Sequence, residues 1–304
     1  MQYYLAPLEG ITTSIYRNLY HQYFTPMDKY FTPFLVPHTK KSLANKEKRK
    51  VAPEFNQGLY LVPQILTNNA QGFLSTVEKL KPYGYQEVNL NLGCPSKTVT
   101  GKGRGAGFLK EPEKLEQFLE EIYAKCDVEI SIKTRIGIEE EEEFLRLLEI
   151  YHKFPLKELI IHPRTLKDFY GNEIHFNAYQ KALLDSPFPV CFNGDIRTKK
   201  DTEKINENYP TTNAIMLGRG IVGKPDLLQE IKEDEAKKEQ TLDFMKALKE
   251  GYFNLTNSEK QTLFKLKEIC GYMSWFHEED KKIFKKMMKT NSLENFFILL
   301  EEVF

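Results

Sequence analysis

Short apolar runs and longer amphipathic stretches alternate along this chain with a regular beat up to about residue 235. The runs Tyr3–Ala6, Lys29–Phe34, Tyr60–Ile65, Glu87–Leu92, Glu129–Lys133, Glu158–Ile161, Pro189–Phe192 and Ala214–Leu217 have strand character. Several are apolar on both faces, as parallel strands covered by helices are. Between them the spacing predicts helices at Thr13–Tyr23, Asn69–Tyr83, Pro112–Lys125, Glu139–Phe154, Asn177–Asp185 and Lys199–Asn208. Thr13 or Ser14 can cap the first, and Glu111-Pro-Glu opens the helix that follows the fourth strand. The basic, proline-broken Lys40–Gly58 segment reads as a loop or short helix. Past Lys232 strand signals vanish, and Leu242–Asn254, Ser258–Phe276, Glu279–Lys289 and Leu293–Val303 read as helices. The expectation is an α/β chain: a (β/α)8 TIM barrel over residues 1–232, then a small C-terminal helical domain over 233–304.

A barrel of this kind carries its site at the C-terminal strand ends. The polar motifs lie there: Ala6-Pro-Leu-Glu-Gly10, Gln64, Asn91 with Cys94, Lys133-Thr-Arg-Ile-Gly137, His162-Pro-Arg-Thr165, Asn193-Gly-Asp195 and Gly218-Arg-Gly220. The period of the strands and the position of the polar residues are independent readings, and both indicate an enzyme. Within Glu87–Leu92, Val88, Leu90 and Leu92 share one face and Asn89 and Asn91 the other. Gly93 and Pro95 then end the strand around Cys94, a thiol able to act as nucleophile, ligand or proton donor; as a small apolar turn residue it would do none of these.

Thr100-Gly-Lys-Gly-Arg-Gly-Ala-Gly107 is glycine-rich and doubly basic, and reads as a mobile lid over a substrate, with Lys102 and Arg104 supplying charge. Its Gly-x-Gly-x-x-Ala spacing lacks the strand running straight into it that a dinucleotide fingerprint needs.

The chain has 304 residues, is 41% hydrophobic and has zero formal net charge, which argues against a wholesale positive field for nucleic acid and leaves local patches open. No apolar run is long enough to span a membrane, and no secretory or transit leader is expected. Cysteines 94, 126, 191 and 270 form no Cys-x-x-Cys pair, so neither a metal site nor a disulfide framework is expected, and a cytoplasmic setting fits. Only eight of the 43 basic residues are arginines, and five of these (104, 135, 164, 197 and 219) follow predicted strands. Arginine suits bidentate anion contacts and stacking on planar rings, so these five mark the functional face.

Asn193-Gly-Asp195 and Gly218-Arg-Gly220 lie where barrels commonly bind phosphate. With Lys133, Gln64 and the Ala6–Leu8 backbone they could surround a flat heteroaromatic ring, which describes a flavin mononucleotide site. In the third C-terminal helix Lys281, Lys282, Lys285, Lys286 and Lys289 share a face, either simply solvated or an RNA-phosphate patch. Ile283, Phe284, Met287 and Met288 are expected in the core.

Across nearly its whole length the chain resembles the tRNA-dihydrouridine synthases, through the motifs above and above all Asn89-Leu-Asn-Leu-Gly-Cys-Pro95 followed by the basic glycine loop. The resemblance implies an FMN barrel with a helical domain binding RNA, in which NADPH reduces FMN. Hydride then passes to uracil C6 and a cysteine protonates C5. By position it implies Cys94 as the general acid. Pro7, Leu8, Gln64, Lys133, His162, Asn193, Gly194, Asp195, Gly218 and Arg219 would line the flavin. Asn91, Lys102, Arg104, Arg164 and Tyr170 would face the RNA, in a protein expected to be monomeric and without a metal. Leu8 stands where the family usually has methionine, and Pro163 where it has glycine. Lys265 and Lys267 lie near an expected arginine/lysine pair. Three alternatives stay open: ribosomal RNA as substrate, a reductase of free pyrimidines or small enones, and a non-catalytic RNA-binding protein.

Overall fold

The computed structural model describes residues 1–38, 42–235 and 239–304. Nine parallel strand segments form one sheet: β1 (Gln2–Leu5), β2 (Lys29–Phe31), β3 (Leu61–Val62), β4 (Gln64–Ile65), β5 (Glu87–Leu92), β6 (Glu129–Arg135), β7 (Leu159–His162), β8 (Val190–Phe192) and β9 (Ala214–Leu217). Their order is β3-β2-β1-β9-β8-β7-β6-β5-β4. The two ends of that order are halves of a single stretch, broken at Pro63, which has no N–H to give to a ladder. The first half pairs with β2 and the second with β5. The sheet therefore closes on itself as an α/β barrel, and the expected Tyr60–Ile65 strand is one stave in two pieces.

Side chains alternate between two cores. Along β5, Val88, Leu90 and Leu92 join the apolar layer between sheet and helices. Asn89 and Asn91 turn inward, where Gln64 meets both. The barrel interior is filled by Tyr4, Ala6, Phe31, Val62, Ile160, Cys191, Ala214 and Met216. Its N-terminal end is closed by charge. Lys29 Nζ lies 3.0 Å from Glu87 and 3.5 Å from Glu158, and the Tyr4 hydroxyl donates to Glu158 at 2.9 Å.

The helices follow the apolar periodicity, with local differences. Thr13 caps the Ser14–Tyr23 helix by accepting from Tyr16 N, and Pro112 opens Pro112–Lys125. The helix expected from Glu139 begins at Glu143, because the Glu143 carboxylate accepts the N–H groups of Ile138, Glu139 and Glu140 and holds them in a turn. Asn45–Val51 is a short helix within the basic segment, whose residues 40 and 41 lie outside the described ones.

The C-terminal helices are Gln240–Thr256, Glu259–Met273, Lys281–Lys289 and Leu293–Glu301. They pack directly on the barrel's helices. Phe244 meets Tyr16 edge-on at 5.4 Å, and the Tyr252 hydroxyl lies 3.2 Å from Thr13 Oγ1. At Gly223, a Cβ would come within 2.3 Å of the Phe276 ring, so only glycine allows that approach. In Lys281–Lys289 Phe284 and Met287 are buried, but Met288 is 44% exposed. The buried stripe follows an i, i+3 spacing, and Met288 lies one residue around from it, outside the core.

The charged plug holds two buried carboxylates against one ammonium. Burial raises the Glu158 pKa above the usual carboxylate value, although Lys29 and Tyr4 oppose the rise. Glu158 thus holds a proton more tightly folded than unfolded, and its contribution to stability falls as pH rises through the carboxylate range. Lys29→Met should destabilise the protein by about 3–5 kcal/mol at pH 8, as for any broken buried pair. In urea unfolding that loss should shrink toward pH 5; a loss independent of pH would contradict this reading.

Candidate active site

Cys94 sits on the turn after β5, and both sides of that turn are held. Asn91 Oδ1 accepts from Gly93 N at 3.1 Å and from Cys94 N at 3.0 Å. Asn91 Nδ2 donates to Gln64 Oε1 at 2.7 Å, Gln64 donates to Asn89, and Asn89 donates to Ser131. On the other side Arg135, fully buried, donates from Nε to Gly93 O at 3.0 Å and from Nη1 to Thr165 O at 2.8 Å. A ladder of carboxamides across the barrel and one buried arginine therefore fix the thiol. Burial pushes the Cys94 pKa up, against the lowering pull of the Ser96 N–H, Arg135 and Lys133, so the thiol is protonated at neutral pH.

The glycine-rich stretch is not a free lid. A short helix, Lys97–Thr100, leads into a 3-10 segment, Gly105–Lys110, that buries Ala106, Phe108 and Leu109. Ala106 N donates to Cys94 O at 3.1 Å. Gly105 has φ +56°, and a Cβ there would lie 2.7 Å from Cys94 O. The glycine marks close packing of this backbone behind Cys94, which the sequence alone did not separate from mobility. Lys102 is exposed at the outer edge of the segment, and Arg104 is half-buried with its Nε unpaired.

A cavity of about 220 Å³ opens at the C-terminal strand ends. Of the residues singled out by sequence, Pro7, Leu8, Asn91, Cys94, Lys133, His162, Tyr170, Asn193, Gly194, Asp195, Gly218 and Arg219 line it. Gln64 lies beneath, fully buried, and reaches the cavity through Asn91. Lys102, Arg104 and Arg164 are outside it. Arg164 is 3% exposed and organises the wall: it donates to Asn172 O at 2.7 Å, to Asp195 at 2.5 Å and to His162 Nε2 at 3.2 Å. Since a guanidinium only donates, His162 Nε2 accepts and the ring is neutral. Burial, then Arg135 and Lys133, lowers its pKa well below the usual histidine value.

Lys133 projects from β6 into the cavity, and among the described residues neither a hydrogen bond nor an ion pair reaches its ammonium. Burial, reinforced by Arg135, lowers its pKa to about 8. Asp195 adopts φ +36° and receives Arg219 at 2.7 Å as well as Arg164. Burial pushes its carboxyl up, but the two arginines outweigh burial and hold it below the usual range. Tyr170 lies over Arg219 at 4.6 Å and Arg135 at 5.2 Å, and stacks beside His162 at 6.1 Å. Its loop is anchored by Asp168, which accepts from Thr165, Asn172 and His175.

Sequence reading placed Arg135 on the functional face without its role and gave no role to Glu9 or Trp275. Arg135 was visible only as an arginine after a strand. Glu9, on the rim, pairs with Lys50 at 3.2 Å. Trp275 comes from the helical region to lie under Arg197 and Arg219. From the same region Lys265 donates to Gly10 O at 3.3 Å, while Lys267 bonds to Thr290 O within the helices.

The whole-chain comparisons agree with this geometry. Among solved structures, morphinone reductase shares the fold, with a TM-score of 0.54 over 79% of this chain and 88% of that one, at 10% identity. The tRNA-dihydrouridine(16) synthase of Yersinia pestis is 26% identical over 317 residues, covering 100% of this chain and 99% of its own. The tRNA-dihydrouridine synthase B of Vibrio vulnificus is 27% identical over 228 residues, covering 75% of this chain and 70% of its own. The family model described as dihydrouridine synthase (Dus) matches residues 4–302, so this chain is an enzyme of the dihydrouridine synthase family.

Proposed function

We propose that the protein binds FMN in the barrel mouth, takes reducing equivalents from NADPH, and reduces specific uridines of tRNA to 5,6-dihydrouridine. The observation that carries this reading is a protonated thiol and an unpaired ammonium, Cys94 and Lys133, lining one cavity. When bound, FMN supplies the hydride that goes to uracil C6.

The residues fit that group. An ammonium without a carboxylate partner suits a ring that gains negative charge on reduction. Gly194, Gly218 and Arg219 offer backbone and guanidinium donors to a phosphate, with Asn193 fixed by its bond to Met216 O at 2.9 Å. Pro7 and Leu8 would pack on the ring, and neutral His162 adds a polar group without a further charge. Cys94 would donate its S–H proton to C5 as hydride reaches C6, saturating the C5–C6 bond; water then returns a proton to the thiolate. Asn91, with one amide hydrogen left after its internal bonds, would meet the uracil. The uridine must leave its stack to reach the cavity. Tyr170 would receive it, Lys102 and Arg104 would take backbone phosphates, and Arg164 would act through Asp195 and His162. The exposed Lys282, Lys285, Lys286 and Lys289 add cationic surface on the helical region. No helix of the described residues is long and apolar enough to cross a membrane. A monomer in the cytoplasm is part of the same reading.

Incubating the purified protein and NADPH with total RNA lacking the modification, then mapping dihydrouridine, tests the proposal. New sites should fall in one tRNA loop. Sites in ribosomal RNA would move the substrate, and no site despite a reducible flavin would favour a small-molecule reductase. Cys94→Ala should still bind flavin and oxidise NADPH while dihydrouridine formation drops by about 10²-fold or more; normal RNA turnover would remove its role as acid.

Lys133 is cationic below about pH 8 and neutral above it. Reduction of bound flavin by NADPH should therefore be steady up to neutral pH and decline through the range near 8. Lys133→Arg, whose side chain keeps its charge, should move the decline to higher pH. The same profile in both proteins would show that this ammonium does not set it.

A further inference from the structure

Arg219 is held between two aromatic rings from different parts of the chain. Tyr170, on the loop after β7, lies 4.6 Å from the guanidinium carbon, and Trp275, after the Glu259–Met273 helix, lies 5.7 Å from it. Arg197 rests on the same indole at 5.5 Å. Both arginines line the cavity, while Trp275 stands outside it, 43% exposed, with Tyr272 edge-on at 5.2 Å. The next residue, Phe276, fills the contact at Gly223 on the short helix that Gly218 opens. The indole is thereby locked to the backbone that presents Gly218 and Arg219. One edge of Arg219 is already committed to Asp195 at 2.7 Å. Arg164, Arg197 and Arg219 together outnumber Asp195, which leaves this end of the cavity cationic.

A long cationic side chain at a wet rim samples many rotamers, and a flat aromatic face removes that freedom while leaving its N–H edge free to donate. We propose that Trp275 is a positioning residue for the anionic end of the cofactor. Its ring holds Arg197 and Arg219 in place for a phosphate, and so makes the helical region part of the cofactor site. This rests on the FMN reading given above. It sets the indole apart from the RNA-facing groups, since it packs against cavity-lining arginines from behind.

The test uses the full chain stripped of flavin and titrated separately with FMN and with riboflavin, which has the same ring and no phosphate. Trp275 is the chain's one tryptophan, so the variants have no indole emission, and binding is read in all three proteins from the fluorescence and visible absorbance of the flavin itself. Wild type should prefer FMN. Trp275→Leu, which fills the space without an aromatic face, should lower that preference about tenfold with riboflavin affinity unchanged, on the scale of two cation–π contacts. Trp275→Phe should restore most of it. An unchanged FMN-to-riboflavin ratio in Trp275→Leu would overturn the inference, as would an equal loss for both flavins or a rise in KM for RNA alone. If wild type binds neither flavin, the FMN reading itself fails, an outcome distinct from these.

Discussion

The two backbone N–H groups accepted by Asn91 are the contacts on which the site depends. They close the turn that carries Cys94, and the other end of the Asn91 carboxamide belongs to the ladder through Gln64, Asn89 and Ser131. Arg135 grips the same turn through Gly93 O and ties it to Thr165, at the root of the loop bearing Tyr170. Gly105 brings a third piece of backbone against Cys94 from behind. Each such bond is worth about 1 kcal/mol net, but a buried donor left unsatisfied costs about 1–3 kcal/mol. The thiol is thus placed by contacts from three separate pieces of the chain.

Charge divides the barrel by height. At the N-terminal end two carboxylates share Lys29, and the Tyr4 hydroxyl donates to Glu158. At the C-terminal end Lys133, Arg135, Arg164 and Arg219 crowd around a neutral His162, with Asp195 as the carboxylate among them. An excess of desolvated cations is costly unless an anion completes it. The lower network pairs its charges within the protein, and the upper one keeps an excess of cations that an anionic ligand would offset. Burial explains both shifts that matter for chemistry, a thiol kept protonated and a lysine brought down to about 8.

Much of this was legible in the amino-acid order. Glu87–Leu92 and Ala214–Leu217 appear with the bounds read from the sequence, the first because apolar residues alternate with inward carboxamides and the second because it is apolar on both faces. Pro63 could have been seen to divide its stave, since proline cannot serve a ladder. The cavity gathers most of the residues that stood after strand ends, as closure of a parallel sheet requires. What was not legible depends on packing between distant segments. A glycine reveals that something approaches closely, but not that Gly105 approaches Cys94 or that Gly223 admits Phe276. Arg164 looked like a surface contact until the 163–175 loop folded over it. Trp275 carried no local sign of its arginines, which lie in another part of the chain.

On the proposed reading, a reduced flavin bound in this cavity passes its electrons to a uridine inside RNA. Anaerobic titration of the pre-reduced protein with unmodified tRNA tests it most directly. The account predicts that the flavin reoxidises with one dihydrouridine formed per flavin, and that free uracil and uridine leave it reduced. Reoxidation by the free pyrimidines, or a flavin that stays reduced in the presence of tRNA, would contradict it.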